Sequence, residues 1–188
     1  WGNLANSETG AVLDTLTVSA PTAIATSNAG TTHAINLTGF TDNNYNLTAN
    51  TGGTLTINKR DITAAWTGVL NRVYGDSNPA VSTANFTYTN LANGDPNSAV
   101  TAAADYGTTT VLSNVGSYSV GANFTSGNYT VTNSPTTTLT IGKRDITANV
   151  ASDSRYYGYA NPSWDWSNVT WGNLANAETG AVLDALTV

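Results

Sequence analysis

Apolar residues alternate with Thr, Ser and Asn along much of the chain, which is the period-two pattern of strands with one buried face. The alternating apolar sets are Ile62, Ala64 and Trp66, then Phe86 and Tyr88, then Tyr118 and Val120, then Tyr129 and Val131, then Leu139 and Ile141. Clusters of Gly, Asn, Asp and Pro lie between these sets, as at 75–79 and 93–96, and are typical of turns. The pattern predicts a mostly β protein built from short strands.

One segment has a helical pattern instead. At 177–186, Glu178 and Thr179 precede apolar residues spaced at i, i+1 and i+4, as at the start of a short helix. Residues 96–100 hold the corresponding place earlier in the chain, and Pro96 suits the first turn of a helix. The sequence therefore predicts one short helix at each of these places.

The sequence repeats itself with two periods. Its first residues, WGNLANSETGAVLDTLTV at 1–18, return as WGNLANAETGAVLDALTV at 171–188, a shift of 170 residues. Within that period, LTINKRDIT at 55–63 returns as LTIGKRDIT at 139–147, a shift of 84. Repetition at a fixed period indicates tandem structural repeats that stack on their neighbours.

We divide the chain into three repeats on this basis. Residues 1–57 are the C-terminal part of one repeat, 58–141 are a complete repeat, and 142–188 are the N-terminal part of the next. The sequence is nearly identical at a shift of 170 residues but only loosely similar at a shift of 84. This difference indicates that a pair of repeats was duplicated. We expect the sequence to be one period of a longer fibre followed by an 18-residue overlap.

The apolar pattern changes phase where one repeat meets the next. Leu55 and Ile57 are at odd positions, whereas Ile62, Ala64 and Trp66 are at even positions. A shift of one residue moves the side chains of a strand to its other face, so we expect one strand to run on across the junction. No Gly/Ser-rich or Pro-rich linker intervenes, which predicts stiff coupling.

Charged residues mark both junctions. They are Lys59, Arg60 and Asp61 at the first and Lys143, Arg144 and Asp145 at the second. We interpret these residues as a set of ion pairs and hydrogen bonds between repeats in which Asp61 and Asp145 take part. A ligand-binding role is the alternative.

Composition excludes several classes of function. Only 10% of residues are charged, the net charge is −6, and there are six basic residues. So few basic residues argue against nucleic acid and against an anionic membrane surface as partners. The lack of cysteine excludes disulfides, cysteine-ligated zinc and thiol catalysis. No apolar run approaches the ~18 residues that span a bilayer, so we expect no membrane insertion.

Candidate catalytic residues are few. His33 is the only histidine and has no counterpart in the complete repeat, which favours a surface or strand position over a catalytic one. Glu178 with Asp184 and Glu8 with Asp14 are paired carboxylates, but an acid near the start of a helix favours the helix dipole. A glycosidase pair also needs a substrate cleft. We therefore predict no catalytic residues and no enzymatic activity.

Three oxygen-rich turns, at 42–44, 76–78 and 95–97, are candidate calcium sites because calcium prefers oxygen ligands. None has the spacing of an EF-hand loop, and Asp and Asn are common in turns because of their local hydrogen bonds. Tyr159 also stands where the aligned turn has Asp76. We predict ordinary turns, no metal site and no cofactor, with calcium as the alternative.

Trp164 and Trp166 are two residues apart and so share one face of a predicted strand, where their rings could stack on a sugar. The aligned residues Val81 and Thr83 are not aromatic, so the fold does not require tryptophan there. Packing against a neighbouring repeat or another chain is the alternative.

A family resemblance follows from several motifs in order. KRDITA at 59–64, RVYGDSNP at 72–79, YTNLANGD at 88–95 and LTI at 139–141 resemble the MBG repeat of the YGX type. The matching motif residues are Tyr74, Gly75, Asn78 and Pro79, and again Tyr157, Gly158, Asn161 and Pro162. Such repeats occur in tandem in large secreted bacterial adhesins, often of the filamentous-haemagglutinin type.

The resemblance implies an elongated rod of small β-rich domains with a β-grasp-like fold, an immunoglobulin-like sandwich being the alternative. It also implies an extracellular location at the cell surface. We expect a structural stalk or fibre whose partners are neighbouring repeats and other copies in a fibre. Two alternatives stay open: a module that binds host or matrix glycans through Trp164 and Trp166, and a self-associating filament protein of a biofilm matrix.

Overall fold

The structure, a computed structural model, describes residues 2–10, 15–92 and 94–183, and only the backbone of Trp166. Within these residues the chain forms twelve short strands. They are β1 (Thr15–Ser19), β2 (Thr32–Thr41), β3 (Gly53–Thr56), β4 (Arg60–Trp66), β5 (Leu70–Val73), β6 (Phe86–Thr89), β7 (Thr101–Asp105), β8 (Gly116–Thr125), β9 (Tyr129–Val131), β10 (Thr137–Gly142), β11 (Thr147–Val150) and β12 (Val169–Gly172). The prediction of a mostly β protein is confirmed.

The predicted helices are wrong, because the described residues contain single turns of 3-10 helix and no α-helix. These turns are Ala5–Ser7, Thr83–Asn85, Asn97–Ala99, Trp166–Asn168 and Gly180–Val182. At 177–183 the reason is visible: Asn176 and Ala177 have left-handed φ values of 49° and 60°, which a right-handed helix does not continue through. Val100 is likewise extended directly after its 3-10 turn. Residues 184–186 of the predicted helix lie outside the described residues.

The strands form four sheets. β1, β2 and β3 are antiparallel in that order. A four-stranded mixed sheet has the order β5-β10-β8-β7, with β10 parallel to β5 and antiparallel to β8. A three-stranded sheet has the order β6-β4-β9, in which β4 and β9 are parallel, and β11 pairs with β12 antiparallel. No helix among the described residues is long and apolar enough to cross a membrane.

The strand predicted to continue across each junction is interrupted instead. β3 ends at Thr56 and β4 begins at Arg60, and the two strands belong to different sheets. β10 ends at Gly142 and β11 begins at Thr147 in the same manner. At each junction the chain leaves one sheet and enters another, and this accounts for the change of phase in the apolar pattern.

The backbone divides into two compact units. The first contains residues 1–63, 88–101 and 125–132, and the second contains residues 64–87, 102–124 and 133–188. Each unit therefore combines one part of the complete repeat with the partial repeat that adjoins it. The repeat boundaries at 57/58 and 141/142 stay sequence predictions.

The core of the second unit comes from the alternating positions. Leu70, Val120, Leu139 and Ile141 form a buried cluster in the four-stranded sheet, and Trp66 and other half-buried side chains pack against it. Burying each aliphatic side chain contributes roughly 1.5–3 kcal/mol. The period-two pattern therefore identified the inward face of β8 and β10 correctly.

Candidate functional site at the repeat junction

A tight turn at 74–76, hereafter the first Tyr-Gly turn, follows β5. Arg72 shapes it: this side chain is 8% exposed, and its Nε donates to Asn78 Oδ1 at 2.9 Å. The same guanidinium donates to the carbonyl oxygens of Thr110 and Val111. Gly75 supplies the left-handed φ of 86°, which other residues adopt only with strain.

This turn contacts three residues from the far side of the second junction. Arg144 Nε donates to the Tyr74 carbonyl oxygen at 2.8 Å, and Arg144 also forms an ion pair with Asp76. The Tyr74 hydroxyl donates to Glu178 Oε1 at 2.6 Å. We call the turn together with Arg144, Ala175 and Glu178 the joint.

Close packing completes the joint. A Cβ atom placed on Gly75 would lie 2.3 Å from the Cβ atom of Ala175, which is 4% exposed. Gly75 therefore allows both the turn conformation and the close approach of the alanine. The hydrogen bond to the Glu178 carboxylate raises the pKa of Tyr74, since it favours the protonated phenol.

An asparagine bridge supports the junction arginine. Arg144 donates to Asn173 Oδ1 at 3.1 Å, and Asn173 Nδ2 donates to the Asp145 carbonyl oxygen at 2.6 Å. Asn173 has a left-handed φ of 64°, which asparagine tolerates better than most residues. Asp145 thus contributes its backbone, and the ion-pair partner of Arg144 is Asp76.

The first junction has the same bridge. Arg60 donates to Asn90 Oδ1 at 2.5 Å, Asn90 Nδ2 donates to the Asp61 carbonyl oxygen at 2.9 Å, and Asn90 has a φ of 71°. Lys59 Nζ donates to the Ser126 carbonyl oxygen at 2.7 Å, whereas Lys143 is exposed. Local structure therefore recurs with the sequence period.

A tyrosine brace also recurs. Tyr129 accepts a hydrogen bond from the Ala92 amide at 2.9 Å and donates to Asp95 Oδ2 at 2.5 Å. Tyr45 accepts from the Ala5 amide at 3.0 Å and donates to Glu8 in the same way. The bond to Glu8 raises the pKa of Tyr45, whereas burial is the main cause that raises the pKa of Tyr129.

An open groove lies beside the first junction. It has a volume of about 430 Å³, and its lining includes the loop 25–29 together with Arg60, Ala92, Asp95 and Tyr129. All of these residues belong to the first compact unit. The groove is lined mainly by polar groups and by the recurring junction residues.

A second Tyr-Gly turn, at 157–159, is built like the first. Gly158 has a φ of 85°, and the Tyr159 amide donates to the Tyr156 carbonyl oxygen at 3.2 Å, as the Asp76 amide does to Val73 at the same distance. Arg155 Nε donates to Asn161 Oδ1 at 2.8 Å. Pro162 is half-buried, and the carbonyl oxygen of Pro79, which follows the first turn, accepts a hydrogen bond from the Tyr106 hydroxyl at 2.5 Å.

The tryptophan pair is described only in part. Trp164 is 39% exposed, and its ring nitrogen donates to Asp153 Oδ2 at 3.1 Å. The side chain of Trp166 lies outside the described residues, so the proposed shared face is not described. The 3-10 turn at Trp166–Asn168 stands where a strand was expected.

The other candidates form local contacts. His33 Nδ1 lies 3.0 Å from Thr22 Oγ1, and Asp42 accepts hydrogen bonds from the amides of Asn44 and Tyr45, as in an Asx turn. Within the described ranges, no three His, Cys, Asp or Glu side chains lie close enough to hold a metal ion. Asp14 and Asp184, each half of a paired-carboxylate candidate, lie outside the described residues.

Three residues of the joint and its support were not among the predicted site residues: Asn173, Ala175 and Glu178. A signal was present, because Asn, Ala and an acidic residue recur in NLANAE at 173–178 and NLANGD at 90–95. That recurrence could have identified them, but the partner of Glu178 is 104 residues away and depends on the tertiary fold.

Comparison with known proteins gives a family match. Residues 67–140 match the family model described as MBG domain (YGX type). No curated protein matches the chain, and no solved structure matches it.

Proposed function

We propose, from the match of residues 67–140 to the MBG domain (YGX type), that the chain is a stalk or fibre region of a bacterial cell-surface adhesin or extracellular filament. In this role the repeats follow one another in tandem outside the cell and carry mechanical load. The work of the chain is to span distance, and its neighbours along the array are its main partners.

The joint is the observation that supports this proposal most directly. Tyr74, Gly75 and Asp76 on one side of a junction are held by Arg144, Ala175 and Glu178 on the other. Two side-chain contacts, one backbone contact and a close glycine–alanine approach resist bending and separation together. Because the junction motif recurs with the sequence period, stability would accumulate along an array through nearest-neighbour contacts.

Solution scattering tests the stalk role. Proteins that contain one, two and three copies of the 170-residue period should increase in maximum dimension by a constant amount per added copy. Gly75→Ala, which removes the close approach, should make that increase smaller and more variable. A maximum dimension that stays nearly constant as copies are added would contradict the proposal.

One observation favours the glycan-binding alternative. The exposed ring of Trp164 is held by Asp153, and an aromatic ring with a fixed orientation can stack on a sugar. A glycan array probed with the wild-type chain and with Trp164→Ala tests this role. Binding that depends on Trp164 supports it, and the same signal from both proteins contradicts it.

A further inference from the structure

The groove beside the first junction matches the surface that holds the first Tyr-Gly turn at the second junction. Arg60 corresponds to Arg144, Ala92 to Ala175 and Asp95 to Glu178, at shifts of 84, 83 and 83 residues. In the joint, the arginine binds the tyrosine carbonyl oxygen, the alanine contacts the glycine, and the carboxylate accepts a hydrogen bond from the tyrosine hydroxyl. The groove therefore presents the same three contacts in the same order.

The loop that lines the groove also matches a loop at the joint. In the second unit, the Gly75 amide donates to the Val111 carbonyl oxygen at 3.1 Å, so the turn lies between that loop and the junction residues. The loop at 24–27 has the same conformation as the loop at 110–113. Its Ser27 amide donates to the Ile24 carbonyl oxygen at 2.9 Å, as Ser113 does to Thr110 at 3.0 Å. Ala25, which lines the groove, stands at the position of Val111.

Corresponding residues are more exposed in the groove than in the joint, as expected when the groove is open and the joint is filled. Arg60 is exposed whereas Arg144 is half-buried, and Ala92 is half-buried whereas Ala175 is buried. The neighbouring edge differs too: Leu55 on β3 is 37% exposed, whereas the corresponding Leu139 on β10, which pairs with β5, is fully buried. A segment equivalent to β5 and its turn would cover both surfaces.

The second Tyr-Gly turn has the form that this site accepts. Tyr156, Tyr157 and Tyr159 are 82%, 101% and 71% exposed, and Tyr156 and Tyr159 contact each other edge to face with ring centroids 6.2 Å apart. The bonds within this turn repeat those of the turn in the joint. The turn is therefore already in its bound conformation, which lowers the entropy lost on binding.

We propose that the groove at Arg60, Ala92 and Asp95 binds the Tyr157–Gly158–Tyr159 turn of a second copy of this chain. Tyr157 donates its hydroxyl to the Asp95 carboxylate, Gly158 packs on Ala92, and Tyr159 stacks on the Arg60 guanidinium in place of the ion pair that Asp76 forms. Asp95 has a second carboxylate oxygen, besides the Oδ2 that Tyr129 uses, with which to accept the new bond.

The proposed contact joins two different surfaces. Such a heterologous contact leaves one free surface at each end of a dimer, so further copies can add to it. The inference rests on the recurring contacts at the junctions. In a tandem array the second copy is the preceding period of the same chain, and for the 188-residue chain alone it is a separate molecule.

Two variants remove one surface each. Tyr157→Ala removes the donor tyrosine and should leave the fold of the chain intact, because this side chain is fully exposed. Ala92→Leu fills the acceptor while keeping the backbone amide that binds Tyr129. Tyr156→Val is the matched control, because valine is the residue at this position of the first turn.

Sedimentation velocity from micromolar to millimolar concentration tests the proposal. The wild-type chain and Tyr156→Val should associate into dimers and longer species. Each surface variant alone should associate about tenfold more weakly, as expected when a hydrogen bond to a carboxylate or a close contact is lost. A mixture of Tyr157→Ala and Ala92→Leu should form dimers that grow no further, since each partner keeps one working surface.

Three outcomes would overturn the proposal. They are a wild-type chain that stays monomeric at millimolar concentration, surface variants that associate as strongly as the wild type, and a mixture that forms no dimer. Circular dichroism of each variant, matched to the wild type, keeps a folding defect from imitating the expected result.

Discussion

The Tyr74 hydroxyl lies 2.6 Å from Glu178 Oε1, and these two residues are 104 positions apart in the chain. The contact is the longest in sequence among the side-chain bonds described for the second unit. It joins the first Tyr-Gly turn to the segment after β12 and so fixes the two sides of the second junction against each other.

Replacing Gly75 by alanine should destabilise the second unit. Alanine at a left-handed φ costs about 1–2 kcal/mol, and the clash with Ala175 adds roughly 1–3 kcal/mol. The matched control is Gly107→Ala, because Gly107 has a φ of 55° and a Cβ atom added to it would meet nothing within 4 Å. Urea denaturation of both variants separates the two contributions, and equal losses would show that Ala175 does not matter.

The stability of the wild-type protein should fall at alkaline pH. The folded state raises the pKa of Tyr74 above the ordinary value of about 10, so the unfolded chain loses this proton at lower pH than the folded chain. The stabilisation is therefore fully present below about pH 10 and is lost as pH rises through the folded pKa. Burial raises the pKa of Tyr88 and Tyr106 and adds to the same slope.

Tyr74→Phe should reduce that alkaline slope. The free energy of unfolding, measured by denaturation at pH values between about 8 and 11, should fall less steeply than in the wild type. Tyr157→Phe is the control, since Tyr157 has the same place in the second turn but is fully exposed. An identical slope for Tyr74→Phe and wild type would contradict the role of the Glu178 bond.

Burial should decide the effect of replacing the arginine of each turn. Arg72→Met removes a buried guanidinium that binds Asn78 and the carbonyl oxygens of Thr110 and Val111, and should cost about 1.5–3 kcal/mol. Arg155→Met removes the same local bond from an exposed turn and should cost less than about 1 kcal/mol. Thermal unfolding of both variants tests the difference, and similar losses would mean that burial is not the cause.

Two substitutions at Asn173 separate its two roles. Asn173→Gly keeps the left-handed backbone but removes the bridge from Arg144 to the Asp145 carbonyl, whereas Asn173→Ala loses both features. Alanine should therefore be less stable than glycine by about 1 kcal/mol. Both should be less stable than the wild type in urea, and the reverse order of the two variants would contradict the conformational argument.

The inward face of the strands could be read from the pattern of Val120, Leu139 and Ile141, because a period of two places every second side chain in the core. The helix at 177–186 could not be judged in the same way. Its composition favours a helical turn, yet the left-handed backbone at Asn176 and Ala177 and the close contact between Gly180 and Trp171 limit it to one 3-10 turn where it is described. In this segment, packing and backbone conformation outweigh the local helix propensity.

Composition and spacing along the chain were enough to establish that the sequence repeats and that the protein is mostly β, and they predicted charged residues at the junctions. Those features need no knowledge of the path that the chain takes in space. The folded arrangement was needed to show that Arg144 pairs with Asp76 and not with Asp145, and that Glu178 binds Tyr74. Hydrogen bonds act over about 3 Å, so the partner of each junction residue depends on which distant segments the sheets bring together.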